Sequence, residues 1–93
     1  VAEHVVMQML SLVRNYIPSY NWIIEGGWNI ADCAARSYDL EGMHVGTVAA
    51  GRIGLRVLKL LKPFDVHLHY LDRHRLSPAL ERDLRLTYHA SLE

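Results

Sequence analysis

The sequence predicts an α/β fold in which an incomplete parallel sheet is preceded by a long apolar helix. Three observations carry that expectation. A short apolar run at His44–Val48 leads through small residues and glycines into a helical pattern. That pattern sets Ile53, Val57, Leu58, Leu60 and Leu61 towards a sheet and Arg52, Arg56, Lys59 and Lys62 towards solvent. A second run, Val66–Leu71, alternates apolar and polar residues as a strand does and ends on the acidic Asp72. Strand, tight turn, helix, strand is the order of a parallel α/β unit.

The turn between the first strand and the helix reads Ala49-x-Gly51-x-x-Gly54. Its chemistry points to a dinucleotide. Gly51 has no Cβ, which lets the backbone approach a pyrophosphate, and Gly54 lets the new helix pack close to the strand. The helix start aims free N–H groups and a partial positive charge at the same place. Asp72 lies 18 residues past Gly54, where an adenosine ribose would be met. A carboxylate there accepts from the 2′- and 3′-hydroxyls and repels a 2′-phosphate, so NAD is favoured over NADP. The usual first glycine is replaced by Ala49, and the tight turn is expected to survive only if position 49 keeps a negative φ. Together these features predict a partial Rossmann-type sheet, with 44–93 as the first part of an NAD-binding domain and 1–43 as an interdomain helix and connecting loop.

Taken in order, Val1 to Tyr16 spaces apolar residues as a helix face, and Val1, Met7, Leu12 and Ile17 extend that surface around the cylinder. Such a helix is expected to be buried on most sides, against elements beyond these residues. Pro18 is expected to kink it or to start a new helix at Ser19, and Gly26-Gly27 to stop that one. Trp28 to Asp39 has no clear period and reads as a loop, with Tyr20, Trp22, Trp28 and Tyr38 available for an interface but read as ordinary packing unless they stand exposed as a patch. Arg52 lies inside the glycine turn, where it either reaches a pyrophosphate oxygen or stays solvated. Pro63 ends its helix. His67 and His69 share one strand face but lack the companion ligands a metal needs, so they read as polar packing or exposed groups. Arg73 either lies over an adenine face or remains a loop cation. Ser77-Pro78 is a helix start, Ser77 capping and Pro78 in the first turn. That helix is expected to end near Leu84 or Arg85, and Leu86–His89 to begin another short extended piece.

Only two strands are convincing at this level, too few to close a dinucleotide site, so the 93 residues are expected to be a piece of a larger polypeptide. Residues 1–43 carry two cations against five anions and residues 44–93 eight against five. That imbalance is too small to indicate nucleic acid. The one cysteine, Cys33, excludes an internal disulfide and fits a reducing, cytoplasmic setting. No apolar run is long enough to span a bilayer, so no membrane partner is expected.

The segments VAEHVVMQMLSLVRNY, GGWNIADC, DLEGMHVGTVAAGRIG and FDVHLHYLDRHRL resemble, almost throughout the chain, the NAD-dependent formate dehydrogenases within the D-isomer-specific 2-hydroxyacid dehydrogenase superfamily. The Ala-x-Gly-x-x-Gly variant is that branch's form of the turn. The resemblance implies NAD as cofactor, formate as the substrate of the parent enzyme and hydride transfer as its reaction. It implies that Ala49, Gly51, Arg52, Ile53 and Gly54 form the pyrophosphate turn, that Asp72 binds the adenosine ribose with Arg73 beside it, and that Val1 approaches the nicotinamide side. It implies a homodimer through the coenzyme domains, to which the first helix contributes. The family's catalytic Arg, His and Gln lie downstream and its substrate-binding Asn upstream, so no catalytic residue and no metal ligand are expected here. Two alternatives remain open at this stage: another D-2-hydroxyacid dehydrogenase, or a non-catalytic NAD-sensing module of the co-repressor kind.

Overall fold

Apolar residues at every second position of the strands and at helical spacing in the following segment meet across one sheet face. The computed structural model describes residues 1–27 and 34–92. Its elements are α1 (Ala2–Val13), α2 (Tyr16–Ile24), β1 (His44–Val48), α3 (Arg52–Leu61), a 3₁₀ turn at Lys62–Phe64, β2 (His67–Leu71), α4 (Pro78–Leu84) and β3 (Leu86–His89). The sheet order is β1-β2-β3, both pairings parallel, with Val48 opposite Leu71 and Tyr70 opposite Tyr88. Leu86–His89, expected only as an extended piece, is therefore a full partner of β2. Its pairing depends on a strand reached through α4, which periodicity within four residues does not reveal.

Val57, Leu58 and Leu61 of α3 bury against Leu68, Tyr70 and Leu86, and Ala2, Leu40, Ala50 and Leu84 complete the core. Leu58 and Leu61 are fully buried, each a gain of about 1.5–3 kcal/mol over an exposed side chain. Ile53 departs from the expected sheet-facing set. It is 52% exposed, because it sits in the first turn of α3. Ser77 caps α4 as expected, its Oγ accepting from Leu80 N at 3.3 Å, and the helix ends at Leu84 with Arg85 in the left-handed region.

α1 packs along α3, and its apolar residues that reach the core are Ala2, Val5, Val6, Met9, Leu10 and Val13. It is thus buried on one side, not on most, and Met7 and Leu12 are exposed. The break in the helical arm also falls earlier than Pro18. Asn15 adopts a left-handed conformation at φ 55°, and α2 begins at Tyr16. Pro18 is then in the first turn of α2, where N–H groups lack intrahelical acceptors and its missing donor costs little. The end of α1 is held by the returning chain: Tyr38 N donates to Val13 O at 2.7 Å, Ser37 Oγ to Arg14 O at 2.9 Å, and Arg14 Nη1 to Asp39 Oδ1 at 2.9 Å.

No helix among the described residues is long and apolar enough to cross a membrane. α2 buries none of its residues. Tyr16 stacks on Tyr20 at 6.2 Å, and both are exposed with Ile17, Ile23, Ile24 and, beyond the helix, Tyr38. Of the aromatics read as packing unless exposed, Tyr20 and Tyr38 are exposed, which favours the interface alternative for these two. Trp22 is the exception, since it lies so close to Gly27 that a Cβ there would collide with its indole. Trp28 to Cys33 lie outside the described residues.

Candidate cofactor site

The parallel register brings the ends of β1 and β2 together, so the glycine turn and the acidic residue emerge side by side at one sheet edge. Ala49 N donates to Leu71 O at 2.6 Å, prolonging the ladder by one rung. The next amide, Ala50 N, donates to Asp72 Oδ2 at 2.8 Å, and His74 N donates to Asp72 Oδ1 at 3.2 Å. These two N–H groups, Ala50 first, hold the Asp72 carboxyl below its ordinary pKa. It therefore stands as an anion at the mouth of the turn.

Ala49 does not keep a negative φ. It sits at φ 87°, a region L-residues enter at a cost of about 1–2 kcal/mol. The expectation failed because the turn must reverse within two residues, and the ladder bond to Leu71 fixes the amide on one side of it. A Cβ on Gly54 would collide with the Ala49 carbonyl oxygen. The alanine and the glycine are therefore coupled: the carbonyl of Ala49 occupies the space that position 54 leaves empty, and α3 approaches the strand through that gap. Gly51 differs, with φ −76° and nothing within 4 Å of where its Cβ would lie. Its missing side chain leaves open space over the helix start, and no side chain caps the first turn of α3.

Arg52 and Ile53 are exposed in that same first turn, and Arg73 is exposed in the loop after Asp72. Val1 is exposed at the start of α1, its carbonyl accepting from Val5 N at 3.1 Å. The structure thus brings together Ala49, Gly51, Arg52, Ile53, Gly54, Asp72 and Arg73, while no hydrogen bond draws Val1 to them. An open glycine, an uncapped helix start and a fixed carboxylate are the donors and acceptor that a diphosphate and a ribose require, so these residues fit a dinucleotide.

Sequence reasoning missed Ala50, whose amide orients the acid, and the residues beneath the loop. Tyr88 Oη donates to Asp72 O at 3.0 Å, and Tyr70 Oη accepts from Leu76 N at 2.9 Å. The only available signal was the inward phase of Tyr70 in its strand. On the opposite sheet face, His67 is exposed and stacks on His44 at 4.5 Å between ring centroids. His69 shares ring-nitrogen hydrogen bonds with His44 at 2.8 Å and with His89 at 2.9 Å. Among the described residues no group of three or more His, Cys, Asp or Glu is arranged to hold a metal ion.

Residues 6–93 match the family model described as D-isomer specific 2-hydroxyacid dehydrogenase, NAD binding domain. The chain belongs to this family. It is 70% identical over 93 residues to formate dehydrogenase of Pseudomonas sp. (strain 101), covering 100% of this chain and 23% of that protein. Among solved structures, it matches formate dehydrogenase of Granulicella M. with a TM-score of 0.92 and 71% identity, covering 97% of this chain and 24% of that one. It matches NAD-dependent formate dehydrogenase from Staphylococcus aureus, solved in complex with NAD, with a TM-score of 0.73 and 32% identity, covering 99% and 31%. The chain therefore spans about a quarter of the length of these relatives, and the cofactor of the domain family is NAD.

Proposed function

We propose that this chain is the entry to the NAD site of a formate dehydrogenase, an enzyme that oxidises formate to carbon dioxide. The observation that carries the reading is the Asp72 carboxylate held by Ala50 N beside the glycine turn, together with 70% identity to a formate dehydrogenase over the whole chain. In this reading the backbone around Ala49, Gly51, Arg52 and Ile53 receives the pyrophosphate, with Gly54 permitting the approach of α3. Asp72 accepts from the ribose hydroxyls, Arg73 flanks the adenosine, and Val1 lies towards the nicotinamide. NAD, when bound, supplies the hydride acceptor, and formate releases its hydrogen with the bonding electron pair as carbon dioxide forms. That chemistry needs no base to remove a proton, so positioning and electrostatics supply the rate. The residues of this chain bind and orient, and catalytic groups are assigned to other parts of the protein.

The proposal extends to assembly and setting. Residues 1–43 act as interdomain helix and connecting segment, and the exposed apolar side chains of α1 and α2 fit a homodimer contact. The single cysteine supports a reducing, cytoplasmic environment. Formate-dependent reduction of NAD by the full-length protein, measured against a panel of 2-hydroxy acids, tests the activity. Turnover of a 2-hydroxy acid in place of formate would move the chain to a sister branch, and NAD binding without any turnover would make it a binding module. Light scattering and cell fractionation test the dimer and the location.

A further inference from the structure

The loop from Asp72 to Leu76 joins β2 to the cap of α4 and carries the acid of the proposed site. Five-residue surface loops are ordinarily mobile, yet this one is held from beneath at three points. Its first carbonyl, Asp72 O, accepts from Tyr88 Oη at 3.0 Å. Its last amide, Leu76 N, donates to Tyr70 Oη at 2.9 Å. Between them Arg75 forms a two-pronged pair with Glu81, Nε to Oε1 at 2.7 Å and Nη2 to Oε2 at 3.0 Å. The three anchors are themselves joined. Tyr70 Oη donates to the same Glu81 Oε1 at 2.8 Å. The two tyrosines, opposite one another in the β2–β3 register, pack with ring centroids 5.2 Å apart. The Arg75 guanidinium lies 5.1 Å from the centre of the Tyr88 ring. Arg73 and His74, between the anchors, are exposed.

A carboxylate discriminates against a 2′-phosphate only if it is kept where the phosphate would have to go. A carboxylate free to swing away loses its bonds to the ribose hydroxyls and stops repelling the extra charge. Asp72 is oriented through its side chain by Ala50 N and His74 N, and through its backbone by Tyr88. We propose that Tyr88, supported by the Tyr70–Glu81–Arg75 network, is a positioning residue for cofactor choice: by fixing the backbone of Asp72 it sets how strongly the enzyme prefers NAD to NADP. Tyr70 is sealed in the core at 1% exposure, and its effect is exerted through the loop. The proposal rests on the reading of Asp72 as the ribose acid.

The test uses the full-length enzyme and four proteins: unmodified, Tyr88→Phe, Asp72→Ser and the double variant. Each is assayed for kcat/KM with NAD and with NADP. Tyr88→Phe keeps the ring packing and removes one hydrogen bond, so the NAD/NADP ratio falls about 2- to 10-fold. The KM for NAD rises while kcat and the KM for formate hold. In the Asp72→Ser background the same substitution leaves the ratio unchanged, because the group it positions is gone. A purely structural tyrosine would lower the yield of active enzyme for both cofactors alike and would not move the ratio. If Tyr88→Phe fails to fold, Arg75→Met, on the exposed side of the brace, is read in the same way. An unchanged ratio in these variants beside a collapsed ratio in Asp72→Ser overturns the brace and leaves the site standing. An unchanged ratio in Asp72→Ser overturns both.

Discussion

The helical arm and the sheet unit are both rich in apolar residues, yet they use them in opposite ways. α3 is strongly two-sided and buries Val57, Leu58 and Leu61. α2, more apolar on average, buries none, and Leu12 of α1 is 80% exposed. Apolar content therefore measures how much surface needs a partner, and only tertiary structure says whether these residues contain one. In the sheet unit they do, and every constraint there converges on the turn. In the arm they do so along one side of α1 only, and the rest of the apolar surface, α2 included, faces outward.

The strongest way to break this contrast is at the point where the sheet unit has no slack. Gly54→Ala drives a methyl group into the Ala49 carbonyl oxygen, and it should cost about 3 kcal/mol of stability, near the top of the range for overpacking. Thermal unfolding of the full-length protein, with NAD titration alongside, checks this. A wild-type midpoint would show that α3 can withdraw from the strand. Asp72→Ser tests the chemistry of the same edge. Removing the anion should reduce the NAD/NADP preference by roughly 10- to 100-fold, read as a ratio of specificity constants, and an unchanged ratio would take Asp72 out of the site. Ala49→Gly sharpens the picture in the other direction. Relief of the positive φ should raise stability by about 1 kcal/mol, once the extra freedom of glycine in the unfolded chain is deducted. Denaturant midpoints would detect it.

The open sheet face supplies a pH-dependent prediction. Desolvation, and then the neighbouring His44, His89 and His67, lower the pKa of His69 from its ordinary 6.5. A histidine with a depressed folded pKa binds fewer protons folded than unfolded. Its contribution is present above pH 6.5 and is lost as pH falls through the lower folded value. The thermal midpoint should therefore decline on acidification from neutrality, and His69→Asn should flatten that decline. A slope that persists in the variant assigns it elsewhere. Smallest of all is the expected effect in the arm: Leu12→Ser should change monomer stability by less than about 0.5 kcal/mol while weakening self-association. A large loss of stability with unchanged association would mean that the Leu12 side of α1, too, is folded against its own chain.

Much of the sheet unit was legible because its signals are local. The two-sided helix, the glycine spacing, the Ser77 cap and the acid at the end of β2 each depend on residues within one or two turns of chain. Several expectations failed where conformation depends on distant neighbours. The φ of Ala49 answers to Leu71 across the ladder. The break at Asn15 rather than Pro18 accompanies a returning segment at Ser37–Asp39 that ties down the end of α1. The histidines of β2 find their partners on β1 and β3, not along their own strand.

By itself, then, the sequence determined the strand–turn–helix–strand order from His44 to Leu71, the Val57–Leu58–Leu61 face of α3 and the chemical kind of its turn, since periodicity and residue type act over a few residues. Tertiary structure alone decided that Leu86–His89 pairs in parallel with β2, that Ala50 N grips Asp72, and that Tyr70 and Tyr88 hold the loop from below. The reason is register. Two residues separated by some twenty positions become neighbours only when both strands are placed, and a shift of a single residue would turn each of those side chains to the other face.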